Sequence, residues 1–250
     1  MIPAVRTFSF YLVVLFSLWL GMPGYAAAAA EAGIVSNVEG QLVAKGMDGV
    51  LRPLALGQKV FAGDILFTGK DSHARIKFAD GGLMLLKPGT QFKIENFNFD
   101  ASQPKADQAS FNLFKGSLRA VSGLVGKRGN PDSYGVKTQA ATIGIRGTNF
   151  GLILCKGDCA DIPTKDGLPL EDGLHVDVSQ GVVQVSNAAG LRLVQAGEFS
   201  FVANAAVVPV EIPKDKGTSV EVPPAMMVDK VRGLGQGKDA TSTPNTCPAN

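Results

Sequence analysis

The chain has 250 residues, of which 45% are hydrophobic and 18% charged, with 30 Gly and 14 Pro, a composition typical of one large or two small globular domains. Lys and Arg total 24 against 22 Asp and Glu, so a net charge of +2 leaves no basic excess for binding nucleic acid. Two His and three Cys provide few residues for a His/Cys metal centre or a histidine-based triad, and no cofactor is predicted.

Residues 1–30 have the order of a secretory signal peptide. Arg6 precedes an apolar run from Phe8 to Leu20, and small residues follow up to Ala30. The alternative is a transmembrane anchor, but the run is roughly thirteen residues, whereas roughly twenty are needed to span hydrocarbon. We therefore expect cleavage, a periplasmic or secreted mature protein, and no membrane span after cleavage.

Residues 31–205 are predicted to form an all-β domain. Short apolar runs, often alternating with polar residues, are interrupted by Gly about every eight to twelve residues. This pattern predicts an antiparallel β-sandwich or a rolled β-sheet of about ten to fourteen strands. The clearest alternation is in residues 74–80, where Arg75, Lys77 and Asp80 are expected on the outer face and the apolar residues between them on the inner face.

Three glycines share a local pattern. Gly40, Gly116 and Gly181 each stand two residues before an apolar strand residue, at unequal spacings that exclude a fixed repeat. Glycine adopts backbone conformations that other residues avoid. We therefore predict one strand-start geometry that the chain uses three times.

Residues 206–250 are predicted to form a Pro/Gly/Lys-rich C-terminal tail, partly disordered. A short helix over residues 225–232 is compatible with the sequence, since Pro224 can open it and Gly233 can end it. The last fifteen or so residues have the polar composition of a disordered segment.

Cys155 and Cys159 enclose a three-residue turn that contains Gly157 and Asp158. An exported protein can keep a disulfide here, which makes a structural bridge the favoured interpretation. The alternative is a redox motif, but redox pairs usually have two intervening residues and stand at a helix start. Cys247 is left unpaired by this assignment, either free or in an intermolecular link.

Several motifs together resemble the FecR-type periplasmic domain, from about Ile34 to Val202. Their order is more specific than any one of them. They are LALGQKV at 54–60, AGDILFTG at 62–69, ARIKFADG at 74–81, AATIGIRGTNF at 140–150 and LRLVQAGE at 191–198.

The resemblance implies an exported β domain that senses a ligand or binds another protein. The named member of that family reports iron dicitrate uptake by an outer-membrane transporter to a cytoplasmic sigma factor, through a cytoplasmic segment and a transmembrane helix. In this sequence a cleavable signal stands in their place. Direct anti-sigma activity is therefore not expected.

The segment around Arg146 is the candidate binding site. It has neither the Gly-Lys-Ser/Thr of a phosphate loop nor a dinucleotide fingerprint. One interpretation is two strands joined by a glycine bulge, with Arg146 outward or paired with a carboxylate. The other is a partner-binding surface of Arg146, Gly147, Thr148 and Asn149, in which the guanidinium contacts a carboxylate or an anionic sugar.

The sequence indicates no catalytic or metal-binding residues. The acidic loop of residues 158–172 lacks the EF-hand spacing, so we interpret it as solvated charge rather than a calcium site. The favoured function is a non-enzymatic binding module that recognises an envelope protein partner in signalling or assembly. The alternative is a carbohydrate- or peptidoglycan-binding module, which usually requires exposed aromatic platforms that this chain offers sparingly.

Overall fold

The computed structural model describes residues 29–227, except Gly129, Asp161, Pro163 and Lys165. The predicted signal peptide up to residue 28, the end of the predicted helix, and Cys247 lie outside the described residues.

The regular secondary structure of the described part of the chain is almost entirely β-strand, as predicted. It contains fifteen strands, one more than the upper end of the predicted range. The strands are β1 Glu31–Glu39, β2 Leu42–Lys45, β3 Leu51–Pro53, β4 Lys59–Phe61, β5 Ile65–Thr68, β6 His73–Phe78, β7 Leu83–Leu86, β8 Gln91–Asn98, β9 Gln108–Val121, β10 Tyr134–Lys137, β11 Thr142–Cys155, β12 Gly173–Asn187, β13 Gly190–Gln195, β14 Phe199–Val202 and β15 Val210–Ile212. Two 3-10 turns, Pro104–Ala106 and Pro131–Ser133, and one short helix, α1, Pro224–Met227, complete the elements.

The strands form one hydrogen-bonded sheet that folds into two layers. The first layer has the order β15-β14-β12-β11-β9-β7-β6-β1-β4, and the second has the order β3-β2-β5-β8-β9-β10-β11-β12-β13. All pairings are antiparallel except that of β9 with β10. Strands β9, β11 and β12 occur in both layers, because one half of each pairs in the first layer and the other half in the second.

Glycines with positive φ mark the places where the chain passes between the layers. They are Gly116 in β9 (φ 85°), Gly147 in β11 (φ 64°), Gly181 in β12 (φ 80°) and Gly40 between β1 and β2 (φ 77°). The conformation predicted for Gly40, Gly116 and Gly181 is therefore present. Their position differs from the prediction, because Gly116 and Gly181 lie at bends within long strands rather than at strand starts.

The core lies between the two layers and is one continuous apolar cluster. Phe78 of the first layer stacks on Phe97 of the second, with ring centroids 5.2 Å apart, and it also contacts Phe111 at 5.2 Å. These rings connect the layers directly, and aromatic pairs of this kind add stabilisation beyond their buried area.

Strand β6 has the predicted alternation, with Ala74, Ile76 and Phe78 buried. The outward position expected for Asp80 is wrong, since its side chain is buried. Its carboxylate accepts hydrogen bonds from Gly82 N at 2.9 Å and Val125 N at 3.1 Å. These backbone N–H groups take the place of the water molecules that would otherwise solvate the carboxylate. This explains why Asp80 can be buried in a tight turn.

The C-terminal segment returns across the outer face of the first layer. We call residues 217–227 the strap. Val220 and Met226 of the strap are buried, and the amide of Asn37 in β1 donates to Ala225 O at 2.7 Å. Within residues 29–227, leaving out the four gaps, no helix has the length and apolar character to cross a membrane.

Candidate functional site

The predicted binding motif lies at the bend of β11. Gly147 has a positive φ and its N–H donates to Gly126 O at 2.8 Å. The bend of β12 at Gly181 packs directly on it, so closely that a Cβ on Gly181 would stand 2.6 Å from Gly147 O. Two glycine bends in contact turn the backbone sharply and place Arg146 at a corner of the second layer.

Arg146 is exposed at this corner, together with Lys127. Both line a small cleft with Arg128, which is held by its bonds to Asp107 Oδ2 at 3.0 Å and to the Asp100 carbonyl at 2.8 Å. Across the described chain, neither the Arg146 side chain nor the Lys127 side chain makes a hydrogen bond or an ion pair. Two cations at the corner are therefore available to a partner.

Exposed apolar side chains lie beside Arg146 on the outer face of the second layer. Arg146 pairs in register with Val182 of β12, and Gln184 pairs with Leu193 of β13 on the same face. Val182 is 41% exposed and Leu193 is 55% exposed. The corner thus combines positive charge with apolar surface.

Thr148 and Asn149 point away from this surface. The N–H of Thr148 donates to Ser122 Oγ at 2.9 Å, and the Thr148 hydroxyl is buried without a partner among the described residues. Asn149 Oδ1 accepts a hydrogen bond from Arg119 Nε at 2.8 Å. The structure therefore divides the predicted motif: Arg146 and Gly147 belong to the surface, whereas Thr148 and Asn149 connect it to an internal network.

That network centres on a buried ion pair between Arg119 and Asp177. The two residues lie on β9 and β12, in register with Gly151 of the intervening strand β11. The Arg119 guanidinium donates to Asp177 Oδ1 and to Ser179 Oγ. Burial is the largest influence on the Asp177 carboxyl and raises its pKa above the ordinary value, although the charge of Arg119 acts in the opposite direction.

The ion pair also binds the strap. Val220 N donates to Asp177 Oδ2 at 3.1 Å, and Arg119 Nη1 donates to Val220 O at 3.4 Å. Sequence reasoning missed this pair because its members are 58 residues apart. The only local signals are single charges within buried strands, an arginine in SLRAV and an aspartate in HVDVS.

Cys155, at the end of β11, and Cys159 form a disulfide with a Cα–Cα distance of 5.5 Å. They pack in a small apolar cluster with Ile153, Leu170 and strap residue Val220. The disulfide loop therefore helps to form the wall against which the strap lies.

His175 of β12 is buried beside this cluster. Its Nε2 is 2.8 Å from Glu171 O, and its ring packs on Phe201 with centroids 4.7 Å apart. Burial lowers the pKa of His175 below its ordinary value. In the part of the chain that the structure describes, no three His, Cys, Asp or Glu side chains come together as a metal site.

The fold and the site define a two-layer, all-β domain with one outer face crossed by its own C-terminal segment and a cationic corner on the other. Residues 64–184 match the family described as FecR protein. This central part of the chain is therefore similar to a FecR-type domain. The match includes Arg146, Lys127 and the Arg119–Asp177 pair, and it ends before Leu193 and the strap.

Two crystal structures of a candidate anti-sigma factor from Parabacteroides distasonis are similar to this chain. The first is 16% identical with a TM-score of 0.45, and the second is 15% identical with a TM-score of 0.44. Each similarity covers 69% of this chain, and the chain spans 64% and 65% of the length of those proteins. No curated protein matches the sequence.

Proposed function

We propose that this protein is an exported, non-enzymatic binding module that recognises a protein partner of the cell envelope, in signalling or in assembly. The similarity to a FecR-type domain supports a sensing or interaction role. One observation carries the proposal: the strap covers the outer face of the first layer, whereas no described segment covers Arg146, Val182 and Leu193 at the corner of the second.

The chemistry of the corner fits a protein surface that presents a carboxylate next to apolar side chains. A planar guanidinium can bind a carboxylate through two parallel hydrogen bonds, which gives direction as well as affinity. Lys127 adds a second cation at the same cleft. Exposed Val182 and Leu193 supply apolar area that would exclude water around the charged contact.

Carbohydrate or peptidoglycan binding is the alternative that the sequence leaves open. Sugar sites usually stack the ring on an exposed aromatic side chain. Every Phe and Tyr of the described residues is buried or half-buried. This distribution favours a protein partner over a glycan.

The disulfide supports the proposed location outside the cytoplasm. Disulfides form and persist in oxidising compartments, and cytosolic thiols are kept reduced. The bridge between Cys155 and Cys159 also packs under the strap at Val220, so its loss would disturb an internal cluster.

The proposal is tested by photocrosslinking in the living cell envelope. A photoreactive amino acid replaces Gln184, which is exposed on the same face as Arg146. The adduct is compared in three backgrounds: the unchanged chain, Arg146→Ala, and Lys45→Ala. Lys45 is an exposed cation of β2, near the opposite edge of the same layer, and serves as the matched control.

We expect a discrete protein adduct that Arg146→Ala removes and Lys45→Ala retains, with the melting temperature of both variants unchanged. An adduct of glycan fragments would favour wall binding instead. Crosslinking that is insensitive to Arg146→Ala, or an absence of adduct, would count against a partner at this corner.

A further inference from the structure

The strap is held mainly through its main chain. Four side chains of the domain donate hydrogen bonds to carbonyl oxygens of the strap: Asn37 to Ala225 O at 2.7 Å, Arg75 to Met227 O at 3.1 Å, Lys87 to Glu221 O at 3.3 Å and Arg119 to Val220 O at 3.4 Å. In addition, the Asp177 carboxylate accepts a hydrogen bond from Val220 N at 3.1 Å. None of these contacts depends on which side chains the strap carries. The outer face of the first layer therefore holds the strap through main-chain atoms, both in its non-helical part and in the helical turn α1.

Apolar contacts of the strap are few and regularly placed. Val220 and Met226 are buried, and Val222 is half-buried. The space between the strap and β7 and β9 is not filled, since a cleft of about 210 Å³ remains there, bordered by Leu83 and Val121. This cleft is open to solvent, so one side of the strap borders a surface groove rather than the packed core.

The strap is not a strand of the sheet. Residues 217–223 make no strand pairing, and Pro223 and Pro224 provide no N–H for one. An exposed turn connects the strap to β15, with Lys216 N donating to Pro213 O at 2.9 Å. The strap therefore makes none of the hydrogen bonds that join the fifteen strands to one another.

We propose that the outer face of the first layer is a peptide-binding groove, which the strap occupies as a releasable internal ligand. The ligand class is a proline-containing peptide like the strap itself, non-helical up to its first proline and ending in one helical turn, with apolar side chains at the positions of Val220, Val222 and Met226. Proline favours an extended conformation before binding, so such a peptide loses little entropy when it docks. A partner segment of this kind would enter the groove when the strap leaves it.

The test begins with the full chain and a recognition site for a sequence-specific protease inserted between Asp215 and Lys216, in the exposed turn. Cleavage leaves the strap bound without a covalent link. A fluorescent synthetic peptide with the sequence of residues 216–227 is then added, and its exchange with the bound fragment is followed by fluorescence anisotropy. Circular dichroism records the β-structure throughout.

We expect the fragment to exchange with the peptide while the β-signal is unchanged. Arg75→Ala and Lys87→Ala should each speed dissociation about tenfold, because each removes a charge-assisted hydrogen bond to the strap main chain. Lys93→Ala is the control, since Lys93 pairs with Glu95 on the second layer. A peptide with Asp at positions 220 and 222 should not bind.

Dissociation of the fragment only on global unfolding would overturn the inference and make the strap an integral part of the fold. Equal binding of the Asp-substituted peptide would also overturn it, because the groove would then lack selectivity for the ligand class. The outcome can be told apart from that of the proposed function, because peptide exchange reports on the strap and crosslinking from Gln184 reports on the Arg146 corner.

Discussion

Arg119 of β9 and Asp177 of β12 form an ion pair across strand β11, directly over Gly151, which is in register with both. The absence of a side chain at this position lets the guanidinium reach Asp177 Oδ1, while Oδ2 accepts the N–H of Val220 at 3.1 Å. A glycine with ordinary φ thus makes room for both an ion pair and the strap. The ion pair therefore requires the space above Gly151 as well as the two opposite charges.

Gly151→Ala should destabilise the protein strongly. A Cβ at this position would overlap Asp177 Oδ2 and stand 2.8 Å from Val220 Cγ2. We expect a loss of about 2–4 kcal/mol in the free energy of unfolding, measured by urea denaturation. Gly144→Ala is the control in the same strand, since its Cβ would meet only Gln184 Cβ at 3.8 Å. Equal stability of the two variants would contradict the close packing at Gly151.

Removing one member of the Arg119–Asp177 pair should cost more than removing both. Arg119→Met or Asp177→Leu alone leaves a buried charge without its partner, at about 3–5 kcal/mol each. The double variant replaces both charges with apolar groups, and we expect its loss to be far below the sum. A double-mutant cycle of unfolding free energies measures the difference. Additive losses would mean that the two side chains do not act as a pair.

Thr148→Val should stabilise the protein, although the residue belongs to the predicted binding motif. The Thr148 hydroxyl is buried without a partner among the described residues, and valine has nearly the same shape. We expect a gain of up to about 1 kcal/mol in the free energy of unfolding. Thr90→Val should do the opposite, because Thr90 Oγ1 donates to Ser117 O at 3.0 Å and accepts from Ser117 N at 3.1 Å. A loss of stability in Thr148→Val would indicate a hydrogen bond that the structure lacks.

The stability of the protein should fall as the pH decreases below about 6.5. Burial lowers the pKa of His175 below its ordinary value, so the unfolded state binds a proton that the folded state resists. The stability due to neutral His175 is fully present above pH 6.5 and is lost as the pH falls through the folded pKa, at up to about 1.4 kcal/mol per pH unit. His175→Gln should flatten this dependence in urea denaturation between pH 7.5 and 5.

His73→Gln is the comparison for the pH experiment. Burial and the charge of Lys87 also lower the pKa of His73, but its side chain is only half-buried, whereas His175 is 7% exposed. His73→Gln should therefore change the pH dependence of the free energy of unfolding less than His175→Gln does. The opposite order would assign the acid sensitivity to the β1–β6 edge rather than to the strap side.

Local patterns in the sequence were sufficient to predict individual strands and the glycine conformations. The alternation in β6 identified its buried face, because a strand with one face in the core shows this period. Gly116 and Gly181 were recognised as special backbone positions, since neighbouring residues reveal a strand on each side. The same information placed Arg146 at a bend and the disulfide at a turn.

Contacts between distant segments could not be predicted in this way. Asn149 was grouped with Arg146 because they are close in sequence, but its amide oxygen is bonded to Arg119, 30 residues away. The strap belongs to a segment predicted as a Pro/Gly/Lys-rich tail, and its binding depends on main-chain atoms that no residue pattern reveals. Asp80 resembles a solvated turn residue until the backbone donors that surround it are known.

The bends at Gly116, Gly147 and Gly181 have a mechanical consequence. Strands β9, β11 and β12 each contribute hydrogen bonds to both layers, so the layers cannot slide over each other as separate plates. A force that pulls the layers apart would act on the covalent backbone at these three glycines and not only on the apolar contacts between the layers. Under tension the molecule should therefore yield by peeling from its outer strands, β15 and β4 on one layer and β3 and β13 on the other.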